Sequence, residues 1–379
     1  MSALPHLKVA IAHYWCINER GGEKVLKNLL DIFPQADVYT LFYDPSSMGH
    51  ILKGHRVFTS NLNKPILRKH YTKCFPFFSQ AVQSLKLQDS YDILISSESG
   101  PIKGISKPKE LPHLCYTHTP MRYCWGHTEE YLRDLPYFIK PLAKLAFEKL
   151  RKYDVTTIDN VDQYLANSNH VAKRIKKYYD RDSIVVHPPI SDKLFEKKLL
   201  PNTERTQQHY LSFGALVPYK RIDLLIECFK NRKDKLIIIG EGSERKRLEP
   251  TATDNITFTG SLEWNKIEHL IEQSKALIFP GEEDFGLIPL EVMALGCPVI
   301  AFKKGGALET VIENSSVQES SGLFFENQTS DSLNQALNEF EVIKGKFSPE
   351  WMRSHAQKFS QSVFKSKLLT QVKHLLNLT

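Results

Sequence analysis

The sequence predicts an α/β protein of two doubly wound, Rossmann-like domains facing across a cleft. Three observations carry this. Short apolar runs with strand character alternate with helical patterns along both halves of the chain. At 379 residues the chain is long for one hydrophobic core, which favours two domains. A glycine pair, Gly21-Gly22, follows the first apolar run and opens a helical pattern, as at the start of a Rossmann-like unit.

The elements follow in order. Residues 7–15 form a buried strand. Val25, Leu26, Leu29, Leu30 and Phe33 then mark one face of a helix that Pro34 ends. Residues 36–43, 91–99 and 111–120 read as strands, and 141–158 as a long helix. Between 45 and 88 there is no Asp or Glu, while Lys53, Arg56, Lys64, Arg68, Lys69, Lys73 and Lys86 are all present. Asn167-Ser168 caps the helix that follows the strand end at 164–166, and 183–189 is a strand closed by two prolines. Polar residues 191–209 are the expected linker. The first domain is therefore 1–190 and the second 210–349, with strands at 210–218, 255–262 and 322–326, a strand, Gly turn and helix over 235–248, a helix and then a strand over 267–281, and a strand-like apolar run after Pro298. A helix capped at Ser330 or Asp331 follows. Ser348-Pro349 opens a tail whose apolar spacing at Phe359, Val363, Leu368, Leu369 and Val372 is helical.

Composition narrows the class. Hydrophobic residues make up 41% and charged residues 25%, ordinary values for a globular protein. No apolar run approaches the roughly 18–20 residues that a spanning helix needs. The first residues read as a strand and not as a signal peptide. Six scattered cysteines without metal-ligand spacing fit a reduced, cytoplasmic setting. A net charge of +7 is too mild to argue for nucleic acid, and none is expected as a partner.

Residues 282–300 organise the whole. Glu282, Glu283 and Asp284 are followed by Gly286, an apolar run, Glu291, and then Gly296 and Pro298. If a helix starts after Gly286, Glu283 lies on the loop before it and Glu291 in its second turn. The helix N-terminus, with its free N–H groups, suits a phosphate. This ordered pattern, continued through Gly305-Gly306, resembles the Glu-x7-Glu signature of retaining, nucleotide-sugar-dependent glycosyltransferases with the GT-B fold. His118-Thr119-Pro120 and Leu216 to Asp223 are similar to a branch rich in mannosyltransferases of surface-polysaccharide assembly.

The resemblance implies roles. Glu283 would lie near the donor sugar, Glu291 at the ribose hydroxyls, and Gly286, Leu287 and Ile288 at the diphosphate or the sugar. Lys220 would hold the diphosphate. The family's second cation falls on Ala215, so Arg221 is expected to supply the missing charge. Gly21 and Gly22 would admit the donor from the other domain, and His118 would contact the sugar. The catalytic set implied is His118, Glu283 and Lys220. The donor implied is GDP-mannose, with a UDP-sugar as the alternative; no metal is expected, and His13, His118, His127 and Asp284 form no recognisable cluster. The acceptor implied is a glycan, often lipid-linked. Segment 63–78, where Tyr71, Phe75, Phe77 and Phe78 interleave with cations, is expected to meet an anionic membrane surface. The tail helices, 350–379, would complete the first domain. Two other classes stay open: another two-domain enzyme such as an epimerase or phosphorylase, and a non-catalytic nucleotide-binding scaffold.

Overall fold

A computed structural model describes residues 4, 6–126, 128–133, 135–202 and 204–378; His127 lies outside them. The chain divides into two compact units, Met1–Pro188 with Phe364–Thr379, and Pro189–Val363.

The first unit is built on seven parallel strands in the order β3-β2-β1-β4-β5-β6-β7. These are β1 Val9–His13, β2 Asp37–Thr40, β3 Val57–Thr59, β4 Ile93–Glu98, β5 His113–Thr117, β6 Gln163–Ala166 and β7 Ser183–Val185. The central strands are buried on both faces, which is why they read as continuous apolar runs rather than alternating ones. The chain leaves β1 in one direction along the sheet for β2 and returns to its other side for β4, so the order reverses between β1 and β4. Gly21-Gly22 are the first two residues of the helix Gly21–Ile32, whose first turn is held by the Arg20 N–H donating to Glu23 Oε2 at 3.0 Å. Phe364, Leu368, Leu369 and Val372 of the last helix enter this unit's core.

The second unit has six parallel strands in the order β10-β9-β8-β11-β12-β13. They are β8 His209–Phe213, β9 Leu236–Ile239, β10 Ile256–Gly260, β11 Ser274–Phe279, β12 Val299–Phe302 and β13 Gly322–Phe325. The reversal here falls between β8 and β11. Ligands in such sheets bind beyond the carboxyl ends of the strands at this reversal.

Two local expectations are corrected, the linker at 191–209 and the cap of the helix Ser330–Ile343. The acid-free segment is structured: it contains edge strand β3 and short helices. Its aromatic residues mostly serve packing, since Phe78 is buried, Phe75 stacks on Phe147 with centroids 4.4 Å apart, and Tyr71 meets Trp15. The polar stretch 191–209 is docked on the second unit: Leu194 is buried, and the Arg205 guanidinium donates to the Leu295 and Ile271 carbonyls at 3.0 and 2.7 Å. Low apolar periodicity concealed this because most of the anchoring is polar: Lys197 also donates to Glu268, Asn202 to the Phe347 carbonyl and the Gln208 N–H to the Gln273 carbonyl. The cap of helix Ser330–Ile343 is Thr329, whose hydroxyl accepts from the Ser332 N–H. Ser168 caps its helix as expected, accepting from the Val171 N–H at 3.0 Å.

Candidate functional site

In the second unit the signature residues converge. Gly286, at φ 86°, turns the chain from the loop after β11 into the helix Leu287–Ala294. Only glycine adopts that φ without strain, and a Cβ there would also press on the Phe279 ring at 3.1 Å. Glu283 lies on the loop and Glu291 in the helix's second turn, as the spacing predicts. Glu291 is buried, at 6% exposure. The Glu283 backbone is fixed by the turn after β12. The Gly306 N–H donates to its carbonyl at 2.7 Å, and a Cβ on Gly305 would lie 2.4 Å from that same oxygen. The glycine pair 305–306 therefore exists so that one strand-end loop can lie directly on another.

Lys220 reaches this loop from the other side of the reversal. It ends the short helix Pro218–Lys220 after β8, and its Nζ donates to Glu283 Oε1. The ammonium also sits over the Phe279 ring, 5.4 Å from the centroid. Gly281 admits the approach, because a Cβ there would meet the Tyr219 carbonyl at 2.7 Å. Gly214 brings Ile288 and the Lys220 ammonium within 4 Å of where its own Cβ would be. A small cavity bordered by Gly214, Ala215, Lys220, Phe279 and Gly281 opens at this point. One cation, a nearby carboxylate and a helix N-terminus thus face the carboxyl ends of β8 and β11. Such a combination is chemically suited to an anion with a hydroxyl beside it.

Arg221 takes another course. Its φ of 52° is left-handed, so its side chain leaves the turn in a different direction from that of Lys220. The guanidinium donates to both carboxylate oxygens of Asp223, at 3.1 and 3.2 Å, and to Gln328 Oε1 at 3.3 Å. Gln328 in turn donates to the Pro280 carbonyl. Arg221 pins this corner and does not line the cavity at Ala215. The cation expected to replace the one missing at Ala215 is therefore engaged elsewhere.

The first unit gathers a second group at the ends of β1, β4 and β5. His118 follows β5, with its N–H on the Glu98 carbonyl at 2.8 Å and its Nε2 2.8 Å from Ser97 Oγ. Tyr116, Tyr14 and His13 ring it, with centroids at 5.2, 6.1 and 6.5 Å. Burial, with the neighbouring His13 adding to it, pushes the His118 pKa down to about 3, so the imidazole is neutral. Gly22 packs against Tyr14, since a Cβ would fall 2.1 Å from the phenol oxygen.

Sequence reasoning missed five participants here. His13 is fully buried, its ring nitrogens make no hydrogen bond, and its Nε2 lies 3.6 Å from Glu23 Oε1. Ser97 orients His118. Beneath them Glu98, Lys103 and Asp154 form a buried charge cluster. The Lys103 ammonium donates to Asp154, whose other oxygen accepts from Trp125 Nε1 and the Tyr179 hydroxyl at 2.7 and 2.9 Å. Glu98 Oε1 is left without a hydrogen bond, and burial pushes this carboxyl up to about 8. No sequence signal joins residues 98, 103 and 154.

The comparisons with known proteins agree with this architecture. Residues 191–358 match the family model described as glycosyl transferases group 1. The chain is 28% identical over 280 residues to the alpha-1,3/1,6-mannosyltransferase ALG2 of Saccharomyces cerevisiae, covering 60% of this chain and 53% of that one. It is 33% identical over 142 residues to a GDP-mannose-dependent monoacylated alpha-(1-6)-phosphatidylinositol monomannoside mannosyltransferase of Corynebacterium glutamicum, covering 33% of this chain and 36% of that one. The chain spans about half the length of the first of these relatives. Among solved structures, Anabaena Alr3699/HepE in complex with UDP superimposes with a TM-score of 0.70 at 17% identity, covering 97% of this chain and 100% of that one. The lipopolysaccharide outer core galactosyltransferase WaaB gives a TM-score of 0.67 at 18% identity, covering 97% and 99%. The fold is the GT-B arrangement of two parallel-sheet α/β domains.

Proposed function

We propose, from the likeness of residues 191–358 to glycosyl transferases group 1, that this protein is a retaining hexosyltransferase that moves mannose from GDP-mannose to a hydroxyl of a lipid-linked glycan. The observation that carries the reading is the meeting of Lys220 and Glu283 beside the Gly286 helix start. The similarity to two mannosyltransferases favours mannose.

The chemistry follows from the groups present. The bond between the anomeric carbon and the diphosphate oxygen breaks, and its electron pair leaves with the nucleoside diphosphate. Lys220 and the amides of Leu287 and Ile288 would meet that growing charge, which lowers the barrier more than it stabilises the bound donor. Glu283, released from Lys220 by the phosphate, would accept from a sugar hydroxyl. Glu291 would accept from the ribose hydroxyls. The acceptor oxygen forms the new bond on the same face, and its proton passes to the departing phosphate. His118, neutral and held by Ser97, is assigned to a sugar hydroxyl, and Gly21-Gly22 to a close backbone approach. The reading gives no role to a resident metal.

The acceptor's lipid and the acid-free segment 45–88 together support a peripheral site on the inner face of the cytoplasmic membrane, with 63–78 as a basic contact.

Calorimetric titration with GDP and with UDP, repeated on Lys220→Ala, tests the proposal. GDP binding that the substitution weakens is expected. Binding of UDP alone would overturn mannose in favour of a UDP-sugar. Binding of neither would favour a scaffold.

A further inference from the structure

The first unit exposes two groups of large apolar side chains: Ile66 and Phe77 in segment 63–78, and a larger group that starts at Tyr137. Tyr137 is 84% exposed, Leu142 69%, Phe138 66% and Leu145 63%. Tyr137 and Phe138, whose rings meet edge to face with centroids 5.7 Å apart, lead directly into the helix Lys140–Thr156 that carries Leu142 and Leu145. That helix is two-faced. Ala143, Phe147, Leu150 and Asp154 are buried on one side. Leu142, Leu145, Lys149, Lys152 and Thr156 recur at three- and four-residue steps on the opposite side, and all five are exposed.

The outward stripe changes character along its length. Its N-terminal end, with Tyr137 and Phe138, is aromatic and aliphatic. Its later turns carry Lys149 and Lys152. Between residues 140 and 152 five cations stand against one acid, Glu148. Isolated exposed apolar residues need no explanation, but a contiguous aromatic-aliphatic tip backed by cations does. Water does not favour it, and a protein groove would not call for the cations. An anionic lipid surface satisfies both ends, since acyl chains receive the tip and headgroup phosphates meet the ammonium groups.

We propose that Tyr137, Phe138 and the outward face of the helix Lys140–Thr156 dock this protein on an anionic lipid bilayer, the aromatic end entering the acyl boundary. Segment 63–78 then adds mainly charge, with Ile66 and Phe77 as its exposed apolar side chains, because Tyr71, Phe75 and Phe78 are committed to packing. This inference extends the membrane part of the proposed function and is independent of the transfer reaction.

The test is flotation of the full chain with vesicles of phosphatidylcholine alone, and of phosphatidylcholine mixed with phosphatidylglycerol, at low and high salt. Wild type is expected to float with the mixed vesicles at low salt. The double variant Phe138→Ser/Leu142→Ser should lose about tenfold or more of that partitioning. Lys149→Gln/Lys152→Gln should weaken binding to the mixed vesicles and reduce its salt dependence. Because these side chains are exposed, thermal melts should be unchanged, which separates docking from folding. If Lys64→Gln/Arg68→Gln abolishes flotation while the serine variant floats like wild type, the docking face is wrong and the basic segment alone is responsible. If wild type does not float, or if sedimentation shows a dimer that Leu142→Ser dissolves without any change in flotation, the lipid proposal is overturned. GDP titration of the same variants should be unaffected, so failure here leaves the donor site untouched.

Discussion

Lys220 and Glu283 touch: the ammonium at the end of β8's loop donates to the carboxylate at the end of β11's loop, across the point where the second sheet reverses its strand order. A donor diphosphate would compete with Glu283 for this cation. Lys220→Ala is therefore expected to weaken nucleoside diphosphate binding by about 1.5–3 kcal/mol, the worth of a hydrogen bond to a charged group. Glu283→Gln should leave that affinity equal or tighter, because the lysine is freed, yet lower turnover of the sugar donor. Calorimetry and donor consumption on both variants check this. Equal loss of affinity in both would mean that the carboxylate holds the lysine in place and does not act on the sugar.

Arg221 makes the opposite case. With its guanidinium on Asp223 and Gln328, Arg221→Ala should change nucleotide affinity by no more than about twofold. A loss matching that of Lys220→Ala would show that the side chain swings to the diphosphate when donor binds.

Gly22 and Tyr14 are in contact, with no room for a methyl group. Gly22→Ala should destabilise the protein by about 1–3 kcal/mol through overpacking. Gly22→Ala/Tyr14→Phe should recover part of it, since the closest contact is the phenol oxygen. Urea midpoints of the single and double variants measure the coupling.

Glu98 predicts a pH dependence. Its folded carboxyl, pushed up to about 8, exceeds the unfolded value of about 4.3. Across that interval the folded state holds a proton that the unfolded state has released. The group's contribution is complete below the unfolded value and is lost as pH rises through about 8. Glu98→Gln should flatten stability between about pH 6.5 and 7.5. His113 and His118, depressed to about 4 and 3 by burial, act in the other direction, costing stability as pH falls below about 6.5. Denaturant melts between about pH 6.5 and 7.5 therefore isolate Glu98, since the buried cysteines, whose thiols burial pushes up, add a loss of stability only as pH nears the unfolded thiol value of about 8.5.

His118 predicts a missing limb. A neutral imidazole with so low a pKa should give no histidine titration near pH 6–7 in the rate profile of donor consumption. His118→Asn, which keeps a hydrogen-bond donor, should retain more activity than His118→Ala.

Sequence by itself determined the strand–helix alternation, the glycine that starts the helix after β11, and the placing of Glu283 before that helix and Glu291 within it. These depend on local spacing, on φ restrictions and on runs buried on both faces, and such information is carried by neighbours in the chain. Only the tertiary structure decided which way Arg221 points, that Phe75 and Phe78 pack inward while Tyr137 and Phe138 face out, that 191–209 is anchored through Arg205, and that His13, Ser97 and the Lys103–Asp154 pair surround the residues near His118. Most of these are settled by contacts between residues far apart in sequence, as with Arg221 and Gln328 or Lys103 and Asp154. A charged or aromatic side chain has the same local propensity whichever partner it finds, and its partner is fixed only once the sheets have brought distant loops together.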